Sequence, residues 1–187
     1  MTYPASRVSG RFLIAATLAA AFAVADPAVA EGPVVLTVTG TVGNANRGAL
    51  DPEYDKLLAF NHVEFDRAMA FDLDMLRELP QVEVTTDFPK DGPEVTYTGP
   101  ALEDVLSAAG ASGDTVTIQA MDGYAVEVPA AEMLGAGAVL ALTRNGRPLG
   151  IGDFGPTQLV FPRGEREELA DMPDDWWIWQ IYHVSVN

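Results

Sequence analysis

The spacing of apolar residues changes several times along the chain, and each change predicts an element. Val34 to Val42, VVLTVTGTV, alternates β-branched residues with a period of two, the signature of a half-buried strand, and stops at Gly43 with turn residues Asn44 and Asn46. Arg47 to Lys56 is polar and predicts a loop. Its Asp51, Glu53 and Asp55 have the spacing of a calcium loop but lack that motif's glycine and distal glutamate. At Phe71 the period lengthens: Asp72 is an N-cap candidate, Leu73, Leu76 and Leu79 follow at helical spacing, and Pro80 stops a short helix. Gln81 to Thr86 returns to β-branched alternation, Asp87 to Gly92 is a loop, and Thr96 to Thr98 predicts a short strand.

Pro100 stands at a first helical position, with Leu102, Val105, Leu106 and Ala109 on one face and Gly110 as a left-handed terminator. The runs VTIQA and YAVEVP flank Met121, Asp122 and Gly123, where the Asp-Gly pair predicts a hairpin. A short helix is expected over Ala130 to Leu134. An apolar strand follows over Val139 to Thr143, turning at Asn145-Gly146 between Arg144 and Arg147. The glycine-rich loop GIGDFGP, Gly150 to Pro156, leads into a buried strand, TQLVFP. After a charged stretch from Arg163 to Asp175, the closing WWIWQIYHVSV predicts a terminal strand on which Trp177, Trp179, Ile181 and His183 share one face. Strands outnumber helices and the two are mixed, so the fold class is α+β, with mixed β-sheets and a few short helices.

The first thirty residues are different in kind. Arg7 and Arg11 precede an apolar run from Phe12 to about Ala25, and the small triplet Ala28-Val29-Ala30 follows, the pattern of a secretory signal peptide. Asp26 and Pro27 interrupt the run before it reaches the roughly 20 residues of a membrane span. The division predicted is a signal peptide over 1-30 and a single domain over 31-187, exported to the periplasm with no membrane insertion after cleavage.

Composition narrows the chemistry. The chain has no cysteine, which removes disulfides, thiolate nucleophiles and thiolate metal sites. Its net charge of −16 repels nucleic acid and anionic lipid. Its histidines, His62 and His183, have no second histidine near them in sequence, which argues against a histidine metal site. GIGDFG lacks the lysine and following helix of a P-loop, and it enters a strand where a dinucleotide fingerprint would open a helix.

Candidate ligand contacts remain. Trp177 and Trp179 offer indole faces for stacking a flat heterocycle, and Tyr124 and Phe154 are further aromatic candidates. Asp87, Asp122 and Asp153 lie in turns or loops, where a carboxylate accepts the paired N–H donors of an amino-pyrimidine edge. Arg144 and Arg147 are candidates for neutralising a phosphate.

In order along the chain, FDLDMLRELPQ, TGPALEDVLSAAGA, DGYAVEVP, VLALTRNGRPL, GP-x-x-LVFP and WIWQIYHVSV resemble the molybdopterin-binding domain of the sulfite oxidase superfamily, in its short exported bacterial form. The resemblance implies that superfamily's fold and a pterin or molybdopterin-like ligand. It also implies a molybdenum-binding cysteine near Val82 to Asp87, where this chain reads VEVTTD. A threonine hydroxyl does not replace a soft thiolate, so no molybdenum is expected. Short cysteine-free relatives look like periplasmic pterin-binding proteins that act with membrane-bound signalling enzymes. Such a sensor is the function expected, with a molybdopterin-dependent oxidoreductase and a non-catalytic partner-binding module as the alternatives.

Overall fold

The alternating runs pair into three sheets in the computed structural model, which describes Met1 and residues 28–187. The expected apolar leader segment, Phe12 to Ala25, lies outside the described residues. No helix among the described residues is long and apolar enough to cross a membrane.

In chain order the elements are β1 (Leu36–Gly40), α1 (Lys56–Phe60), β2 (Met69–Phe71), α2 (Leu73–Glu78), β3 (Gln81–Asp87), β4 (Glu94–Pro100), α3 (Leu102–Ala108), β5 (Thr115–Ala120), β6 (Ala125–Pro129), α4 (Ala130–Gly135), β7 (Val139–Ala141), β8 (Thr143–Arg144), β9 (Arg147–Pro148), β10 (Gln158–Val160) and β11 (Ile181–Val186). One sheet runs β2-β1-β11-β5-β6, a second β3-β4-β8-β9, and β7 pairs with β10 alone. Among the described residues only β1 and β11 pair in parallel, with Thr37 opposite His183 and Val38 opposite Val184. The fold is α+β, as the mixture of periods predicts.

Alternation decides which side chains enter the core. Val116, Ile118 and Ala120 of β5 are buried while Thr115, Thr117 and Gln119 between them are partly exposed. On α3, Leu102, Val105 and Leu106 are buried against the sheets, and Gly110 takes the left-handed conformation that closes the helix, with φ 57°. Asp72 caps α2, accepting the Met75 amide at 2.8 Å. At the β8–β9 turn both Asn145 and Gly146 have positive φ, 49° and 71°, as a two-residue hairpin turn requires. Gly99 lets β4 approach β7, because a Cβ there would lie 2.0 Å from the Leu140 carbonyl oxygen.

Two expectations are corrected, and two elements are added where none was predicted. Pro100 ends β4, and Ala101 takes the cap position of α3. The segment after Lys56 contains α1 and β2, which the polar text around them hides. Trp177 and Trp179 do not share a strand face with Ile181 and His183. Asp174–Trp176 forms a 3-10 turn, Gln180 has a φ of 55°, and the strand begins only at Ile181.

Inside the five-stranded sheet the polar groups are paired. Thr39 Oγ1 and His183 Nε2 lie 2.8 Å apart, His183 Nδ1 lies 3.3 Å from Gln119 Oε1, and Tyr182 donates to that same oxygen at 3.1 Å. Burial pushes the His183 imidazole down to about 4, so the ring is neutral at physiological pH.

Candidate functional site

Where the β5–β6 hairpin turn approaches the segment ahead of β11, a cavity of about 320 Å³ opens, lined by Phe88, Asp122, Tyr124, Asp174, Trp177 and Trp179 among others. Its back wall is aromatic. Trp177 is 1% exposed and stacks on Phe88, with ring centroids 5.5 Å apart and planes 10° from parallel. Trp179 is 42% exposed and offers its indole to the opening. Phe154 meets Phe88 and Trp179 edge-on, at 5.7 and 5.8 Å, joining the two tryptophan neighbourhoods.

The rim is acidic. Asp122 Oδ1 accepts the Tyr124 amide at 2.9 Å, while Oδ2 has no partner among the described residues. Tyr124 donates its hydroxyl to the Asp175 carbonyl at 3.2 Å, tying the hairpin turn to the opposite lip. Asp174 is fully engaged, Oδ1 by Arg163 at 2.8 Å and Oδ2 by the Lys90 amide at 2.9 Å. Asp122 and Asp175 are therefore the carboxylates left free for a ligand.

Arg163, which the sequence offered only as part of a charged stretch, holds this wall in place. Its side chain is 3% exposed. It donates to Asp87 Oδ1 at 2.8 Å, the Asp87 carbonyl at 2.9 Å, the Met172 carbonyl at 2.7 Å and Asp174, and its guanidinium lies 4.5 Å over the Trp177 ring. Asp87 is thus the counterion of Arg163 and is not among the cavity's lining residues. Burial works against its charge, but the Arg163 and Asp91 donors outweigh it and hold the carboxyl below its ordinary value.

Behind the aromatic wall, one face of the β3–β4–β8 sheet carries polar groups with no partners. Tyr97 stands opposite Val84 and Arg144, and Thr86, two positions from Val84, points to the same side. The Thr86 and Tyr97 hydroxyls, Arg144 Nε, Trp177 Nε1 and both amide atoms of Gln158 are buried and unpaired. Burial pushes the Tyr97 phenol up, Arg144 pulling the other way and Asp153 adding to the rise. Phe154 covers the Arg144 guanidinium at 5.4 Å.

The candidates from sequence therefore separate. Asp122, Tyr124, Trp177 and Trp179 line the cavity together. Phe154 and Arg144 stand behind it, and Asp153 is exposed on the loop held by Gln180. Arg147 is exposed on β9, outside the cavity lining. Tyr97, Gln158 and Arg163 were missed. Tyr97 reads as an ordinary strand aromatic, and only the sheet register sets it beside Arg144.

The residues present do not fit a molybdenum centre. At the position that the resemblance assigns to the metal-binding cysteine, Thr85 shares a hydrogen bond with Thr96 at 3.1 Å and Thr86 is a buried hydroxyl. Neither is a soft donor, and no cluster of metal-holding side chains occurs among the described residues. A phosphate tail is also poorly served, because the carboxylates dominate the rim and Arg163 is spent on Asp87 and Asp174.

Residues 56–165 match the family described as the oxidoreductase molybdopterin binding domain. Among solved structures, the chain is similar to the sulfane dehydrogenase SoxCD from Paracoccus pantotrophus, with a TM-score of 0.54 and 16% identity over 81% of this chain. It spans 37% of that longer chain, and the likeness is one of fold. No curated protein sequence matches it.

Proposed function

Because the chain belongs to the oxidoreductase molybdopterin-binding domain family, we propose that it keeps that family's pterin pocket without the metal chemistry, as a periplasmic pterin-binding protein read by a membrane-bound signalling enzyme. The observation that carries this reading is the pairing, in one cavity, of the half-exposed Trp179 indole, with the buried Trp177 behind it in the wall, and the free carboxylates of Asp122 and Asp175. A pterin presents a flat ring for stacking and an amino-pyrimidinone edge whose parallel N–H groups suit one carboxylate. About 320 Å³ is room for one small heterocycle. With the rim acidic, an unphosphorylated pterin suits it better than a phosphorylated one.

The exposed side chains of α1 support the partner half of the proposal. Phe60 is 80% exposed and Tyr54, just before the helix, 82%. Asn61, at the end of α1, lies against Gly123 in the turn that carries Asp122. A partner seated on these aromatics would sense the ligand turn directly.

Fluorescence titration tests the ligand. Oxidised and reduced pterins are expected to quench Trp179 saturably, and a pterin phosphate to bind more weakly. No quenching or heat at millimolar pterin would refute the binding reading. Near-stoichiometric molybdenum in protein purified from its native exporter would favour the oxidoreductase instead.

A further inference from the structure

Asp72 is a buried carboxylate, 4% exposed, with no Lys, Arg or His paired to it among the described residues. Its Oδ1 accepts the Met75 amide, an ordinary helix cap. Oδ2 is spent elsewhere: it accepts the amides of Gly32 at 2.8 Å and Glu31 at 2.9 Å, some forty positions away in sequence. The Met75 amide first, then that of Gly32, hold the carboxyl below its ordinary value, so it is charged. A buried anion resting on neutral donors alone invites a cation.

The nitrogen 2.9 Å from that anion belongs to the residue that follows Ala28-Val29-Ala30. Ala28, Val29 and Glu31 are exposed and Ala30 is partly so, which puts the Ala30–Glu31 bond at the surface, while beyond it the Val35 amide donates to the Phe71 carbonyl at 2.9 Å and fixes the segment along β2. We propose that cleavage after Ala30 creates, in place, the missing cation: an α-ammonium on Glu31 that closes an ion pair with Asp72 and completes the mature fold. Water adds across the Ala30–Glu31 peptide bond, the carboxylate leaves with Ala30, and the Glu31 amine takes up a proton. Few other charges face the pair. Gly32 to Val35 and β2 contribute none, Asp74 on α2 is engaged by Arg77, and the Glu31 side chain belongs to an exposed residue.

The inference rests on the export reading and is independent of the pterin. Intact mass of the chain secreted by an exporting host is expected to show Glu31 as the first residue. In that chain the terminal amine, followed through the Glu31 Cα resonance, is expected to titrate at least one unit above the ordinary value of about 7.7 to 8.0, a tenfold weaker acid. The stabilisation is then present below pH of about 8 and lost as pH rises through the raised value. Asp72→Asn returns the amine to its ordinary range. Because that variant keeps the cap but also loses the second oxygen that accepts the Gly32 amide, a chain retaining Ala30 ahead of Glu31 provides the second comparison: its amine titrates normally and its urea midpoint falls below that of the mature chain. An ordinary amine in the mature chain overturns the pairing, and a first residue other than Glu31 overturns the cleavage on which it depends. The pterin titration is indifferent to both.

Discussion

The five-stranded sheet and the sheet face behind the aromatic wall both bury polar side chains, but they treat them in opposite ways. In the first, Thr39, His183, Gln119 and Tyr182 satisfy one another. In the second, Thr86, Tyr97 and Arg144 each leave a buried polar atom unpaired, as Trp177 does in the wall itself. A paired network returns the desolvation cost of its groups, whereas an unpaired set keeps that cost outstanding until a ligand or water arrives. Buried polarity is therefore satisfied in one region and left open in the other, where Arg144 lies against Phe154 and Phe154 against the cavity's Trp179.

Arg163 gives the largest test of that division, because it is a paired group on the side of the unpaired ones. Arg163→Met strands Asp87 and Asp174 and removes the cation over Trp177, with an expected loss of about 3 to 5 kcal/mol in urea unfolding. A loss below about 1 kcal/mol would mean that the wall stands without it.

His183 tests the paired network through pH. Its folded value is depressed to about 4, so between the ordinary value of about 6.5 and 4 the unfolded chain binds the extra proton. Stability falls as pH drops through that window, by on the order of 3 kcal/mol, and is unaffected by this group above it. His183→Gln is expected to flatten that slope; an unchanged slope assigns it to other groups.

Smaller effects separate ligand contact from packing. Trp179→Ala is expected to weaken pterin binding roughly tenfold with the melting temperature held, since its ring is half-exposed at the cavity mouth. If stability falls and affinity does not, Trp179 is a packing residue. Thr86→Val removes an unpaired buried hydroxyl at nearly constant shape and is expected to raise stability by about 1 kcal/mol in the ligand-free protein. Destabilisation would show that the hydroxyl has a partner after all.

Apart from β2, the strands, the hairpins and the helix cap at Asp72 were legible because each depends on residues close in sequence: alternation sets a face, Asp-Gly and Asn-Gly set turns, and Asp72 reaches Met75 three residues on. The closing segment misled for a related reason. WWIWQIYHVSV carries strong strand propensity throughout, but Gln180 adopts a positive φ, its amide held by the Phe154 carbonyl at 2.9 Å. That contact joins distant parts of the chain, and it sends Trp177 inward and Trp179 outward.

By itself the sequence determined the α+β class, the family resemblance, the absence of a thiolate and the acidic balance, all properties of composition or local pattern. The tertiary structure alone decided which candidates meet. It set Asp122, Tyr124, Trp177 and Trp179 around one cavity, turned Asp87 toward Arg163, and left Arg147 on an exposed hairpin. Ion pairing and stacking act over a few ångströms in space, and residues as far apart as Asp87 and Arg163 come within that reach only when the sheets close.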